Sequence, residues 1–238
     1  PLVRASLQQW SGAEGEGWPS WAFSNHDAPR AVTRWTFDGD MARMARLNLL
    51  LLLALRGNPI IYQGEELGLP QGVVAFEDLQ DPEAIANWPH TLGRDGARTP
   101  MPWQAGAPQA GFSSANRTWL KLDPVHTSFA VDTQVAQPAS TLLYTRALLA
   151  ARRQCPALVA GDITLLDSPE DILAFLREDE SGTVLCVFNL GETLGHFSPP
   201  TDLGALTLIA TENHIGSGGT VSDALAPGTG YWAQVASS

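Results

Sequence analysis

Cysteine and long apolar runs are both scarce in this chain. Its 238 residues contain only two cysteines, Cys155 and Cys186. So few cysteines cannot build a disulfide framework, and we expect both to be free, buried thiols. The longest apolar run, from Leu49 to Leu55, is far shorter than the roughly 20 residues that a transmembrane helix needs. The sequence therefore predicts no association with a membrane.

Basic residues are also few, and this shortage restricts the partners of the chain. Lysine and arginine together number 14 against 25 acidic residues, which gives a formal net charge of −11 at pH 7. An acidic surface repels nucleic acids and anionic lipids, so neither is expected as a partner. The same charge is compatible with a soluble enzyme that acts on a neutral substrate such as a sugar. We separately expect a cytoplasmic location. The apolar content of 44% is ordinary for a folded protein with a sizeable core.

A metal site is not indicated either. Asp38 and Asp40 lie close together in the sequence. They are nevertheless too sparse for a calcium-binding loop, which needs several oxygen ligands at fixed spacing. We therefore expect the chain to bind no metal.

The first part of the chain alternates helical and strand-like patterns. Apolar residues recur at helical spacing over residues 2–10 and 40–55, and Asp40 is placed to cap the second helix. Residues 21–25 and 59–62 are short apolar runs bounded by turn residues, as is typical of buried strands. Helices that alternate with strands predict βα units and a parallel sheet.

The second part of the chain changes character twice. Residues 67–116 show little periodicity, but four aromatic residues among them predict an ordered loop rather than a linker. Residues 138–153 again have helical spacing. Short apolar or alternating runs then follow, which predict antiparallel strands at 162–166, 172–177, 183–189, 206–210 and 230–235. We place a domain boundary near residue 160, between domains 1–159 and 160–238.

The stretch Trp21-Ala22-Phe23-Ser24-Asn25-His26-Asp27 ends a strand-like run with a histidine beside an aspartate. Barrel enzymes present catalytic groups at the C-terminal ends of such strands. The stretch resembles the last catalytic region of the α-amylase-type glycoside hydrolases, in the branch of the α-glucosidases and oligo-1,6-glucosidases. The alternative is a pair of residues that merely caps the turn after the strand.

The resemblance implies a role for each member of this pair. Asp27 would be the third catalytic carboxylate, neither nucleophile nor general acid, and would hold the 2- and 3-hydroxyls of the sugar. His26 would bind hydroxyls of the same sugar. Hydrogen bonds of this kind strengthen in the oxocarbenium-like transition state and contribute several kcal/mol to catalysis.

A second stretch, Gly93-Arg94-Asp95-Gly96-Ala97-Arg98-Thr99-Pro100-Met101, resembles an Arg-Asp-x-x-Arg-Thr-Pro-Met motif of the same branch. By resemblance Arg94 helps to hold the 4-hydroxyl of the terminal glucose, and Arg98 supports the same subsite. A guanidinium group suits this role because its fixed fork of donors matches vicinal hydroxyls and carboxylates. In the family the carboxylate that partners the arginine of this subsite lies upstream, outside this chain. The alternative is that both arginines form salt bridges that only staple the loop.

Two further features invite a catalytic interpretation. Tyr62-Gln63-Gly64-Glu65-Glu66-Leu67-Gly68 also resembles a family signature, and the resemblance implies an architectural role for Glu65 and Glu66. Arg30 and Arg34 follow Asp27 closely. They either line the substrate entrance or form structural ion pairs.

The resemblance implies a fold of the α/β plus all-β class. We expect the last strands and helices of a (β/α)8 barrel, strands seven and eight, followed by an antiparallel β-sandwich. The parent reaction would be retaining hydrolysis of an α-glucoside oligosaccharide or disaccharide, without a cofactor. The nucleophile and the general acid would lie upstream of this chain. Its partner would be the missing N-terminal half-barrel, or else the chain would self-associate, and alone it would be inactive.

Other functions share these features. A sucrose-using isomerase or a transglucosylase belongs to the same family. Heavy chains of amino-acid transporters have the fold without the chemistry, but they have usually lost the sugar-site residues. A stand-alone carbohydrate-binding module at 160–238 would expose rows of aromatic side chains. We instead expect a core role for the aromatic residues of this region, Phe175, Phe188, Phe197, Tyr231 and Trp232.

Overall fold

A computed structural model of the chain describes residues 2–10, 17–91 and 93–236. Gly12 and Gly15, which we expect to end the first helix, lie outside these ranges. The chain divides into two compact units. One consists of Pro1–Trp21, Arg46–Ile60 and Arg146–Ser238, and the other consists of Ala22–Ala45 and Ile61–Thr145.

Short elements make up much of the chain. The α-helices, in chain order, are α1 (Leu2–Trp10), α2 (Ala31–Trp35), α3 (Met41–Ala54), α4 (Pro82–Asn87), α5 (Val131–Val135), α6 (Thr141–Arg153) and α7 (Pro156–Ala160). The strands are β1 (Ser20–Ala22), β2 (Asn58–Ile60), β3 (Asp162–Leu165), β4 (Ile172–Asp179), β5 (Gly182–Asn189), β6 (Gly195–His196), β7 (Leu206–Thr211), β8 (Ala224–Leu225) and β9 (Thr229–Val235). Short 3-10 segments occur at Glu65–Leu67, Phe76–Asp78, Asp95–Ala97, Pro108–Gly111 and Pro124–Phe129.

The unit of residues 22–45 and 61–145 contains the long loop. Its core is built by Leu67, Leu69, Met101 and Leu142, which are almost completely buried and pack together. The loop is ordered by short helical turns, and the rings of Phe76 and Trp88 lie 5.6 Å apart. This agrees with the expectation of an ordered loop.

In the other unit, β1 and β2 form a two-stranded sheet. The amide of Asn58 donates to the carbonyl of Pro19 at 2.8 Å. Gly57 has a φ of +131°, and a Cβ there would lie 2.3 Å from the same carbonyl oxygen, so the turn before β2 requires glycine. The two strands occur where barrel strands are predicted, and their membership of a closed barrel stays a prediction.

The five-stranded antiparallel sheet has the order β3-β4-β5-β9-β7. Strands β4 and β5 are buried on both faces, since consecutive side chains from Ile172 to Arg177 and from Val184 to Asn189 are all inaccessible. This double burial explains why both strands read as nearly continuous apolar runs. On one face the indole of Trp232 donates to the carbonyl of Leu50 in α3 at 3.2 Å.

The aromatic residues of the C-terminal region lie in the core, as expected. The exposed fraction is at most 5% for Phe175, Phe188, Phe197, Tyr231 and Trp232. The rings of Phe175 and Phe188 stack with their centroids 6.0 Å apart. The sheet therefore lacks the exposed aromatic row that a carbohydrate-binding module would need, within the described residues. Beside it, β6 and β8 pair as a small antiparallel sheet. A complete β-sandwich and a boundary near residue 160 stay predictions.

Several local predictions are confirmed. Asp40 caps α3, because its carboxylate accepts the amide of Arg43 at 3.0 Å. Both cysteines are free, although Cys155 is only half-buried whereas Cys186 is fully buried. Within the described residues, every helix is too short or too polar to cross a membrane.

Candidate active site

The site begins where the chain leaves β1. The side chain of Asn25 accepts the amides of Asp27 and Ala28 at 2.8 and 2.9 Å, which closes a tight turn. This turn leaves the side chains of His26 and Asp27 68% and 56% exposed. Both side chains are therefore accessible to a ligand.

The carboxylate of Asp27 is the point on which the other predicted residues converge. Arg98 donates from Nη2 to Asp27 Oδ1 at 3.0 Å, and its Nε donates to the carbonyl of His26 at 2.8 Å. Nη1 of Arg94 lies 3.7 Å from the same Oδ1 atom. On the other side, His26 Nε2 lies 3.4 Å from Asp27 Oδ2. The structure thus brings all four predicted site residues together.

Asp81 is the residue that sequence reasoning missed. It is 1% exposed and forms a bidentate pair with Arg94, at 3.0 Å to Nε and 2.7 Å to Nη2. These hydrogen bonds hold the pKa of Asp81 well below its usual range and raise that of Arg94. The sequence signal, an aspartate before Pro82, indicates only a helix cap. The arginine pair thus has carboxylate partners within this chain, besides any that lies upstream.

Arg30 does not line an entrance, because it is 1% exposed. It donates to the carbonyls of Gln63 at 2.6 Å and Ala97 at 3.3 Å, and its guanidinium lies 5.3 Å from the ring centre of Tyr62. The hydroxyl of Tyr62 also donates to the carbonyl of Ala97, at 2.9 Å. Burial lowers the pKa of Arg30. Its role is to fix the segment that carries Arg94 and Arg98.

Glu65 and Glu66 make architectural contacts. Glu65 accepts the hydroxyl of Ser24 at 2.7 Å and the amide of Tyr62 at 2.8 Å, and so links the segments that follow β1 and β2. Glu66 accepts the amide of Gly64 at 2.8 Å. Burial raises the pKa of both carboxyl groups.

A buried histidine lies under the same loop. His126 is 0% exposed, with Nε2 at 3.1 Å from the carbonyl of Pro70 and Nδ1 at 3.3 Å from the hydroxyl of Thr99. Burial lowers its pKa, so the ring is neutral at pH 7. It is a packing residue that the sequence did not distinguish from a surface histidine.

The described residues contain no cluster of side chains suited to a metal ion. What the site does contain is a carboxylate flanked by two guanidinium groups and an imidazole. This set presents an acceptor and several donors to a polyhydroxylated ligand. The other carboxylate described in contact with this set, that of Asp81, is buried and paired with Arg94.

Residues 3–161 match the family model of the α-amylase catalytic domain. The chain belongs to the α-amylase family. A probable α-glucosidase of Rhizobium meliloti (strain 1021) is 45% identical to this α-amylase-family chain over 192 residues, which cover 80% of the chain and 34% of that protein. A probable oligo-1,6-glucosidase 2 of Bacillus subtilis (strain 168) is 30% identical over 224 residues, 85% of the chain and 39% of that protein.

Solved structures show the same family fold. The α-glucosyl transfer enzyme XgtA superimposes with a TM-score of 0.86 at 41% identity, over 98% of the α-amylase-family chain and 43% of its own. The trehalulose synthase MutB of Pseudomonas mesoacidophila MX-45 superimposes with a TM-score of 0.81 at 25% identity, over 98% and 46% respectively. The chain spans between about a third and a half of the length of these relatives.

Proposed function

We propose that this chain is the C-terminal part of a retaining α-glucosidase, which hydrolyses terminal α-linked glucose from oligosaccharides. The observation that carries the proposal is the convergence of Arg94, Arg98 and His26 on the exposed carboxylate of Asp27. The names of the relatives, a probable α-glucosidase and a probable oligo-1,6-glucosidase, support this branch of the family.

Asp27 acts as the transition-state-stabilising carboxylate. Its Oδ1 atom faces the two arginines, and Oδ2, which has His26 Nε2 at 3.4 Å on one side, accepts hydrogen bonds from vicinal sugar hydroxyls. As the sugar ring gains positive charge, its hydroxyls become stronger donors, so their bonds to Asp27 tighten in the transition state. His26, Arg94 and Arg98 bind hydroxyls of the same glucose.

The remaining catalytic groups belong upstream of this chain. Retaining hydrolysis needs a nucleophile and a general acid about 5 Å apart, and Asp27 serves as neither. In this proposal β1 and β2 are strands seven and eight of a barrel that an N-terminal half completes, and residues 160–238 form a β-sandwich. The end of the family match at residue 161 supports that boundary. The reaction needs no cofactor, and a cytoplasmic location is part of the proposal.

The experiment uses the full-length protein that contains this chain and an aryl α-glucoside. Asp27→Asn removes the negative charge and keeps the shape, so kcat should fall by at least about a hundredfold while KM changes little. Asp167→Asn, the same change at an exposed carboxylate of the other unit, is the matched control and should leave both constants unchanged. An Asp27→Asn enzyme altered only in KM would contradict the assigned role. A wild-type protein without turnover would favour the non-catalytic alternative.

A second candidate function is transfer of a glucosyl group to another sugar, including isomerisation of sucrose. The 41% identity to an α-glucosyl transfer enzyme favours it. Both functions form the same glucosyl-enzyme and differ in whether water or a sugar accepts the glucose. Chromatography of the products formed from maltose and from sucrose separates them, since hydrolysis yields free glucose and transfer yields new oligosaccharides.

A further inference from the structure

We propose that Asp81 is a positioning residue that sets the direction in which Arg94 points at the sugar. The inference rests on the proposed function of Arg94 and deepens it. Asp81 takes up the Nε and Nη2 edge of the guanidinium at 3.0 and 2.7 Å. The fork is rigid and planar, so fixing one edge fixes the whole group. The remaining nitrogen, Nη1, then faces Asp27 Oδ1 at 3.7 Å.

Asp81 also holds the main chain of Arg94. Its Oδ2 atom accepts the amide of Arg94 at 2.8 Å, besides the side-chain Nε. The preceding residue, Gly93, has a φ of +58°, and a Cβ there would lie 2.7 Å from the same Oδ2 atom. Because residue 93 is glycine, the carboxylate of Asp81 has room to accept hydrogen bonds from both the backbone and the side chain of Arg94. Asp81 fixes the start of the side chain as well as its end.

The position of Asp81 is itself fixed by the loop. Oδ2 of Asp95 accepts the amides of Gln80 and Asp81 at 2.6 and 2.9 Å. Oδ1 of Asp81 accepts the amide of Glu83 at 3.2 Å, which caps α4. Asp81 is buried whereas the Arg94 side chain is 36% exposed, so the carboxylate anchors a donor that reaches into solvent. Its charge also neutralises Arg94, so Arg94 offers a directed donor rather than a net positive charge.

The first test is kinetic and uses the full-length protein. Asp81→Asn can still cap α4, but its amide nitrogen cannot accept from the guanidinium. We expect kcat/KM to fall by about a hundredfold, as misplacement of a binding group by about 1 Å can produce, with KM rising. Asp81→Asn should cause no further loss in an Arg94→Ala background. Asp123→Asn is the matched control, because Asp123 is a buried capping aspartate that accepts the amides of Val73 and Val125.

A merely structural role would give a different pattern. Asp81→Asn would then lower the melting temperature, and its effect on kcat/KM would add to that of Arg94→Ala. Additive losses, or unchanged kinetics in Asp81→Asn, would overturn the proposal. Asp81→Glu retains the charge and should recover part of the lost kcat/KM.

A second measurement does not depend on activity. The Nε–Hε signal of Arg94 in an NMR spectrum can be assigned by its loss in Arg94→Ala. Its exchange with water should become at least about tenfold faster in Asp81→Asn and stay unchanged in Asp123→Asn, because a hydrogen-bonded proton exchanges only when the bond opens. Equal exchange in the wild type and Asp81→Asn would refute the inference. If the wild type turns over no glucoside, the proposed function fails, and this signal still decides the role of Asp81.

Discussion

Arg177 on β4 holds the C-terminal sheet to its adjoining segments through main-chain carbonyls. The side chain is 0% exposed, and burial lowers its pKa to about 10, so it remains charged at pH 7. Its guanidinium donates to four carbonyls at 2.6 to 3.2 Å, those of Ala54, Leu158, Gly161 and Asp162. Substitution by methionine keeps an apolar stem and removes every donor.

The cost of Arg177→Met follows from these contacts. A buried polar group left without a partner costs about 1–3 kcal/mol. At the lower limit, leaving four carbonyls without a donor destabilises the fold by about 4 kcal/mol. We use the lower limit because methionine also removes the cost of burying a charge. A loss of about 4 kcal/mol in the free energy of opening corresponds to roughly thousandfold faster amide exchange.

The assay is hydrogen exchange of the full-length protein, followed by mass spectrometry of peptides from residues 172–189. Arg153→Met makes the same change at an exposed position of α6 and should leave exchange in these peptides unchanged. Arg177→Lys, which keeps a charge and fewer donors, should be intermediate. Less than tenfold acceleration in Arg177→Met would refute the assignment of this stabilisation to the carbonyl contacts.

Two further predictions concern pH and the isolated chain. Burial raises the pKa of Glu65 above its ordinary value of 4.5, so the folded state binds this proton more tightly than the unfolded chain does. The stability that this group contributes is present below pH 4.5 and is lost as the pH rises through the folded pKa. Glutamine does not titrate, so the melting temperature of Glu65→Gln minus that of the wild type should increase from pH 4.5 to neutral pH. A difference that stays constant over this range would contradict the prediction. We also expect the isolated chain to hydrolyse no aryl α-glucoside and to self-associate, because in the proposed fold β1 and β2 are strands of a barrel that this chain alone does not close, and unpaired strand edges associate. Turnover of an aryl α-glucoside would contradict the first expectation, and a monodisperse monomer in light scattering would contradict the second.

Most regular elements could be predicted from the sequence because each carries its own local signal. The run from Leu49 to Leu55 is apolar on all sides, and the C-terminal part of α3 is accordingly buried all round, whereas Met41 at its start is exposed. The β4 and β5 runs are bounded by turn residues and pair in register from Ile172 and Asn189 to Asp179 and Gly182. Strand β1 ends at Ala22, earlier than the predicted residue 25, because the chain turns at Asn25.

The site residues were recognisable only where a motif marked them. His26, Asp27, Arg94 and Arg98 stand in two motifs, and the structure brings them together. The sequence could not reveal the bidentate contact of Asp81, since that contact depends on the path of the chain at Gly93. It could not reveal the burial of Arg30 either, because the acceptors of Arg30 are carbonyls that every residue possesses.

The carbonyl of Ala97 has a consequence for divergence among relatives and for loop exchange between them. It accepts from both Arg30 and Tyr62, and it lies between the two arginines that face Asp27. Because the main chain rather than a side chain makes this attachment, a foreign sequence that follows the same backbone path could be anchored there by Arg30 and Tyr62 without change. Substrate preference could then drift, or be engineered, by replacing neighbouring loop residues other than Gly93, Asp95 and Gly96, while Arg94 and Arg98 keep their orientation.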